Sequence, residues 1–230
     1  MSVEIGTTDV CLQIDGGEVG GYFASPLVCN GAALLLIHEW WGLNADIRAI
    51  AQRLAGLGFA VIAVDLFDGR STDNPDVAAT LMNQMEADRS KEVLLRWIDW
   101  LRDEKGYRRI GAIGFCLGGH WALRVATFSR LDAVVVYYGS VGLPADALVA
   151  VTAPVLGHFG LHDPVVPIAE VSAFDRVMRS LAKPVDVRIY GADHAFARVD
   201  GPNYNAGLAE AAWDTTARFL TESLTGSDTL

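Results

Sequence analysis

The apolar residues of this chain alternate between two periods. GAALLLIH (31–38) is an unbroken apolar run that ends in polar residues, the pattern of a strand buried on both faces. FAVIAVD (59–65) reads the same way, and RIGAIGF (109–115), DAVVVYYG (132–139), PVLGHFG (154–160) and PVDVRIY (184–190) read as strands. Between them, ADIRAIAQRLAGLG (45–58), PDVAATLMNQM, SKEVLLRWIDWLRDE, AEVSAFDRVMRSLA (169–182) and YNAGLAEAAWDTTARFLTES (204–223) repeat apolar residues at helical spacing. HWALRVATF, after residue 119, is a further helix. Asn44 is placed to cap the helix at 45, and Gly58 to stop it. The first 30 residues hold extended runs broken at Gly16-Gly17 and Gly20-Gly21, which predicts a hairpin. Strands separated by helices predict an α/β chain with a mostly parallel sheet of about seven or eight strands and helices on both faces. No repeat or linker-like run interrupts the pattern, so residues 1–230 are expected to form a single domain. The tail TGSDTL is expected to fray.

In such sheets the functional groups collect on the loops after the strands. One of those loops is unusual. Gly114-Phe115-Cys116-Leu117-Gly118-Gly119 sits between a strand and a helix and has the form of a nucleophile elbow, with cysteine in the serine place. The nucleophile of an elbow sits on a tight, strained turn, so its neighbours must lack a Cβ. The elbow also puts the thiol at a helix N-terminus, where partial positive charge favours a thiolate and a developing oxyanion. The Leu117 amide is the natural first oxyanion donor. A cysteine nucleophile needs a base, and the base an orienting acid. Asp163 in GLHDPVVP and His194 in YGADHAF both follow strands, in the chain order nucleophile, acid, histidine. Asp193 is a rival acid, but an adjacent residue rarely folds back onto its neighbour's ring. His38, His120, His158 and His162 fit less well and read as structural. After the first buried strand, IHEWWGLN offers Glu39, and the amide of Trp40 as a second oxyanion donor. On the residues alone, Glu39 is either part of this chemistry or a surface glutamate paired with an arginine such as Arg48.

Composition narrows the function further. The 28 acidic against 18 basic residues give a formal charge of -10, which argues against nucleic acid as a partner. No run of about 18 apolar residues is present, so no membrane span is expected. The start, MSVEIGTTDV, lacks the basic and apolar regions of a signal peptide. The cysteines are three, Cys11, Cys29 and Cys116, with no C-x-x-C. That predicts a reducing, cytoplasmic setting without a disulfide framework. No metal-ligand spacing and no G-x-G-x-x-G after the first strand call for a metal or an organic cofactor.

HEWWGLN, GFCLGG, GLHDPVVP and YGADHAFAR together resemble the dienelactone hydrolase family of the α/β-hydrolase superfamily, from about residue 10 to residue 223. The resemblance implies an α/β-hydrolase fold and hydrolysis of a small-molecule lactone or activated ester. It matches the family's cysteine to Cys116, its aspartate to Asp163 and its histidine to His194. It matches Glu39 to a glutamate that takes part in forming the thiolate, and the oxyanion amides to Leu117 and Trp40. Arg198, four residues after His194, matches an arginine for a substrate carboxylate. Arg70 in DLFDGR most nearly matches a second, after a one-residue shift, and Tyr137 matches a pocket tyrosine. The chain departs from the pattern at Ala195, where serine is usual, and at His38 and Trp40-Trp41, where the family carries glutamine and smaller residues. A carboxylesterase or thioesterase of the same fold, and a binding protein on this scaffold, are the rival readings.

Overall fold

The computed structural model describes residues 3–226. They fall into two compact units, Met1–Ile110 and Gly111–Leu230. Residues 227–230, within the tail expected to fray, lie outside the described residues.

In the first unit, β1 (Ile5–Ile14) and β2 (Gly17–Pro26) form the expected antiparallel hairpin. Its two-residue loop is Asp15-Gly16, and Gly16 takes φ 85°, the positive angle that such tight hairpin turns demand. β3 (Ala32–Ile37), α1 (Ala45–Ala55), β4 (Ala60–Val64), α2 (Pro75–Asn83) and α3 (Ala87–Asp99) follow. The strand order is β1-β2-β4-β3, with β3 and β4 parallel and β2 antiparallel to β4. Every residue of β3 and β4 is buried, which is why these segments read as continuous apolar runs. The Asn44 side chain accepts from the Ile47 amide and caps α1. Asn74 caps α2 in the same way, with Pro75 in the first turn where no N–H is missed. α3 runs on into one π-turn, Trp100–Glu104, where the Lys105 amide reaches back to the Trp100 carbonyl.

The second unit takes up the chain within β5 (Arg109–Phe115). α4 (Leu117–Val125), β6 (Ala133–Tyr137), α5 (Ala145–Val149), β7 (Val155–Gly160), α6 (Ile168–Ser180), β8 (Val185–Tyr190) and α7 (Ala206–Thr225) follow. Its strands run in the order β5-β6-β7-β8, every pair parallel. β6 and β7 are fully buried, whereas β8, at the end of the order, is half-buried to exposed. The mostly parallel arrangement expected from the sequence is therefore present, with eight strands described. Among the described residues no helix is long and apolar enough to cross a membrane.

Candidate active site

The elbow is built at the junction of β5 and α4. Cys116 takes φ 50° and ψ -114°, a region that costs a non-glycine residue about 1–3 kcal/mol. Two backbone hydrogen bonds hold it there: Cys116 N–H to the Tyr137 carbonyl at 2.9 Å, and His120 N–H to the Cys116 carbonyl at 3.2 Å. The glycines are explained by their surroundings. A Cβ on Gly114 would stand 2.0 Å from the Gly118 carbonyl oxygen. One on Gly119 would stand 2.9 Å from the Tyr137 oxygen, and one on Gly139 would stand 2.4 Å from the His120 nitrogen. Strand, helix and the turn after β6 touch backbone to backbone here. Leu117 opens α4, so its amide lies at the helix N-terminus beside the thiol.

His194 lies on the loop after β8, and its Nε2 is 3.1 Å from Cys116 Sγ. Its Nδ1 is 2.7 Å from Asp163 Oδ2, on the loop after β7. The other oxygen of Asp163 accepts from the Val165 and Val166 amides at 2.7 and 2.9 Å, which fixes the carboxylate. The histidine is fixed as well: Asn203 Nδ2 donates to the His194 carbonyl, and Asn205 N–H to the Phe196 carbonyl. The Tyr138 ring stands edge-on to the imidazole, 5.3 Å between centroids. The rival acid Asp193 is exposed.

The electrostatics follow from this geometry. Burial works to lower the His194 pKa, but the hydrogen bonds to Asp163 and Cys116, with the charges of both, override it and raise it to about 10. With Nδ1–H donating to the Asp163 carboxylate, Nε2 is left facing Sγ. Burial works to raise the Asp163 pKa, but hydrogen bonds from His194, Val166 and Val165 and the charge of His194 carry it below the ordinary value. A thiol within hydrogen-bond reach of an imidazole braced by a carboxylate can be deprotonated to attack an acyl carbon, and the proton taken up can pass to the group that leaves.

The remaining expected residues fall in different places. Arg198 is half-buried on the His194 loop, its amide bonded to the Ala195 carbonyl. Tyr137 is 1% exposed, and its hydroxyl meets Thr216 Oγ1 at 2.8 Å. It is the neighbouring Tyr138, at φ 39°, whose ring meets His194. In the first unit, Glu39 follows β3 after His38 and is only 7% exposed, which removes the surface-glutamate alternative. Arg48 pairs with Asp9 at 2.7 Å. Trp40 and Trp41 pack edge to face at 4.8 Å. His38 is fully buried; its Nε2 accepts from the Leu66 amide and its Nδ1–H donates to the Glu39 carbonyl, so the ring staples the ends of β3 and β4 as a neutral group. Arg70 is exposed and engaged by its own turn, Nε on the Phe67 carbonyl and a terminal nitrogen on Gln84.

The model of the dienelactone hydrolase family matches residues 19–224. A protein of Saccharolobus solfataricus, provisionally named a carboxymethylenebutenolidase, is 27% identical over 92% of this chain and 97% of its own. "Protein usf" of Aquifex pyrophilus is 31% identical over 92% of this chain and 96% of its own. Among solved structures, a protein of Klebsiella pneumoniae subsp. pneumoniae MGH 78578, provisionally named a dienelactone hydrolase, superposes with a TM-score of 0.86 at 25% identity. That match covers 95% of this chain and 99% of the other. The fold is thus the expected α/β-hydrolase fold.

Proposed function

The chain belongs to the dienelactone hydrolase family, which makes it a carboxylic ester hydrolase, and on that premise we propose that it opens lactones or activated esters through Cys116 as nucleophile. The observation that carries the reading is the hydrogen-bonded line from Asp163 through His194 to Cys116 Sγ, at 2.7 and 3.1 Å. The thiolate adds to the acyl carbon, and the Leu117 amide holds the oxyanion. The intermediate collapses to a thioester as the enolate or alkoxide leaves, taking the Nε2 proton of His194. The imidazole, now neutral, takes a proton from water, which cleaves the thioester and frees the acid. A thiolate suits leaving groups of this kind; with an amide it would itself be expelled in preference to the amine. Glu39, as participant in thiolate formation, and Trp40, as second oxyanion amide, belong to the same proposal on their correspondence to the family's residues.

Arg198 is assigned to a substrate carboxylate, which its planar guanidinium can bind through two hydrogen bonds. Arg70 resembles a second such arginine, but its guanidinium is held by Phe67 and Gln84. That favours, as second reading, an esterase that does not require a carboxylate.

The test follows the ultraviolet absorbance of a carboxylated dienelactone alongside p-nitrophenyl acetate. The lactone is expected to be consumed much faster than the ester, and Cys116→Ala to lose at least about 10³-fold in kcat on both. Arg198→Ala should raise KM for the carboxylated substrate alone. Full activity of Cys116→Ala would overturn the nucleophile assignment; brisk ester cleavage with slow lactone loss would select the second reading.

A further inference from the structure

We infer that β8 is a self-complementary edge through which two copies of this chain pair antiparallel, in one register. β8 lies at the end of the strand order and, among the described residues, has β7 as its only strand neighbour. Arg188 and Ile189 are exposed, the latter to 49%, and the rest of the strand is half-buried. A bare edge of this kind is a template for another strand.

The hydrogen bonds to β7 reveal which residues face outward. The Val155 amide donates to the Pro184 carbonyl and the Leu161 amide to the Tyr190 carbonyl. The N–H and C=O of one strand residue point to the same edge, and successive residues alternate. Residues 184, 186, 188 and 190 therefore bond towards β7, and Val185, Val187 and Ile189 present their backbone groups to the open edge. In an antiparallel pair, outward residues must oppose outward residues as hydrogen-bonded pairs. A two-fold axis at Val187 satisfies this, with Val187 against Val187 and Val185 against Ile189 on either side.

Charge selects that register from its neighbours. With the axis at Val187, Asp186 of each copy opposes Arg188 of the other, in the closer, non-hydrogen-bonded kind of pair. Sliding by one step in one direction sets Asp186 against Asp186; in the other it sets Arg188 against Arg188. Both put like charges face to face. Edge charges commonly keep strands apart, but the order Asp186-Val187-Arg188 makes them attract their own copies. Within one copy the two side chains already meet at 2.7 Å, so pairing exchanges a bridge along the strand for two across it. On the α6 side, Val187 and Ile189 border an open groove with Val171, Asp175 and Arg179. A second copy would cover it.

Sedimentation velocity of the full chain over about 1–100 µM tests this. A concentration-dependent dimer is expected. Arg188→Asp should raise its dissociation constant at least about tenfold, by turning both cross-strand pairs repulsive. The double swap Asp186→Arg with Arg188→Asp should restore it, because the same register is again complementary. Val187→Pro, which removes an outward N–H at the axis, should give a monomer with esterase activity retained. A wild type that stays monomeric throughout, or a dimer indifferent to both Arg188→Asp and Val187→Pro, overturns the proposal. Failure of the double swap to recover the dimer overturns the register. If Val187→Pro does not fold, the charge series decides alone.

Discussion

Two histidines of the second unit lie close in the fold's logic and far apart in chemistry. His158 stands in mid β7, fully buried, with Nδ1 at 2.8 Å from the Tyr190 hydroxyl and Nε2 at 2.9 Å from Thr216. His194 has 15% of its side chain exposed and also holds one partner at each nitrogen. Burial works in the same direction on both. Around His158 it is opposed by the charge of Asp186 and assisted by that of Arg188, and the pKa falls to about 3. At His194 it is overcome and the pKa rises to about 10. The difference lies in the partners: neutral hydroxyls at one ring, a carboxylate and a sulfur at the other. One ring is a structural cross-link that stays uncharged; the other holds its second proton far more tightly.

The widest breach in that comparison comes from Asp163→Asn. It removes the charge that raises the His194 pKa and offers an amide that favours the wrong tautomer. A kcat loss of about 10³–10⁴-fold is expected, with the His194 titration falling well below 10. Both are read by steady-state kinetics and by imidazole NMR. A loss under about tenfold would detach Asp163 from the chemistry.

A smaller effect should appear in stability against pH. The folded pKa of His158 lies below the ordinary 6.5, so its contribution is complete above pH 6.5 and is lost as pH falls towards 3. The loss approaches about 1.4 kcal/mol per pH unit from this one group. His194 has the opposite sign: its contribution is complete below pH 6.5 and is lost as pH rises towards 10. Urea unfolding between about pH 4 and 7 should therefore show a steeper acid slope in the wild type than in His158→Gln. Equal slopes would mean that His158 titrates normally.

Smallest is Thr216→Val. Thr216 Oγ1 serves both His158 and Tyr137, at 2.9 and 2.8 Å. Taking it away should cost about 1–3 kcal/mol of stability and leave kcat within about threefold. A large kcat loss at unchanged stability would tie the two histidines into one functional unit.

Much of this was legible in the chain. The elbow announced itself because crowding forces glycine at Gly114 and Gly119, and because the residues proposed as nucleophile, acid and base follow the chain order of α/β-hydrolases. The buried strands were visible because both of their faces are apolar. The short α5 was missed: five residues, Ala145–Val149, are too few to show a helical period. The π-turn at Trp100–Glu104 is a shift of one hydrogen bond, which leaves no mark on residue choice. Which of the adjacent Tyr137 and Tyr138 stands against His194 depends on where the strand ends, and neighbouring tyrosines do not disclose that: it is Tyr138. The pairing of His158 with Tyr190 and Thr216 joins residues distant in sequence, so no local pattern could reveal it.

The three glycines around the elbow have a consequence for how this protein can change. Cys116 can be exchanged for a residue of similar size with the line to His194 kept. The pedestal has no such latitude: at Gly114, Gly119 and Gly139 even a methyl group would meet backbone atoms at 2.0, 2.9 and 2.4 Å. In a scan of every substitution at every position, these glycines should tolerate fewer alternatives than Cys116 itself when the readout is folded protein. Evolution on this scaffold is free to alter the side chain at position 116 before it can alter the turn that carries it.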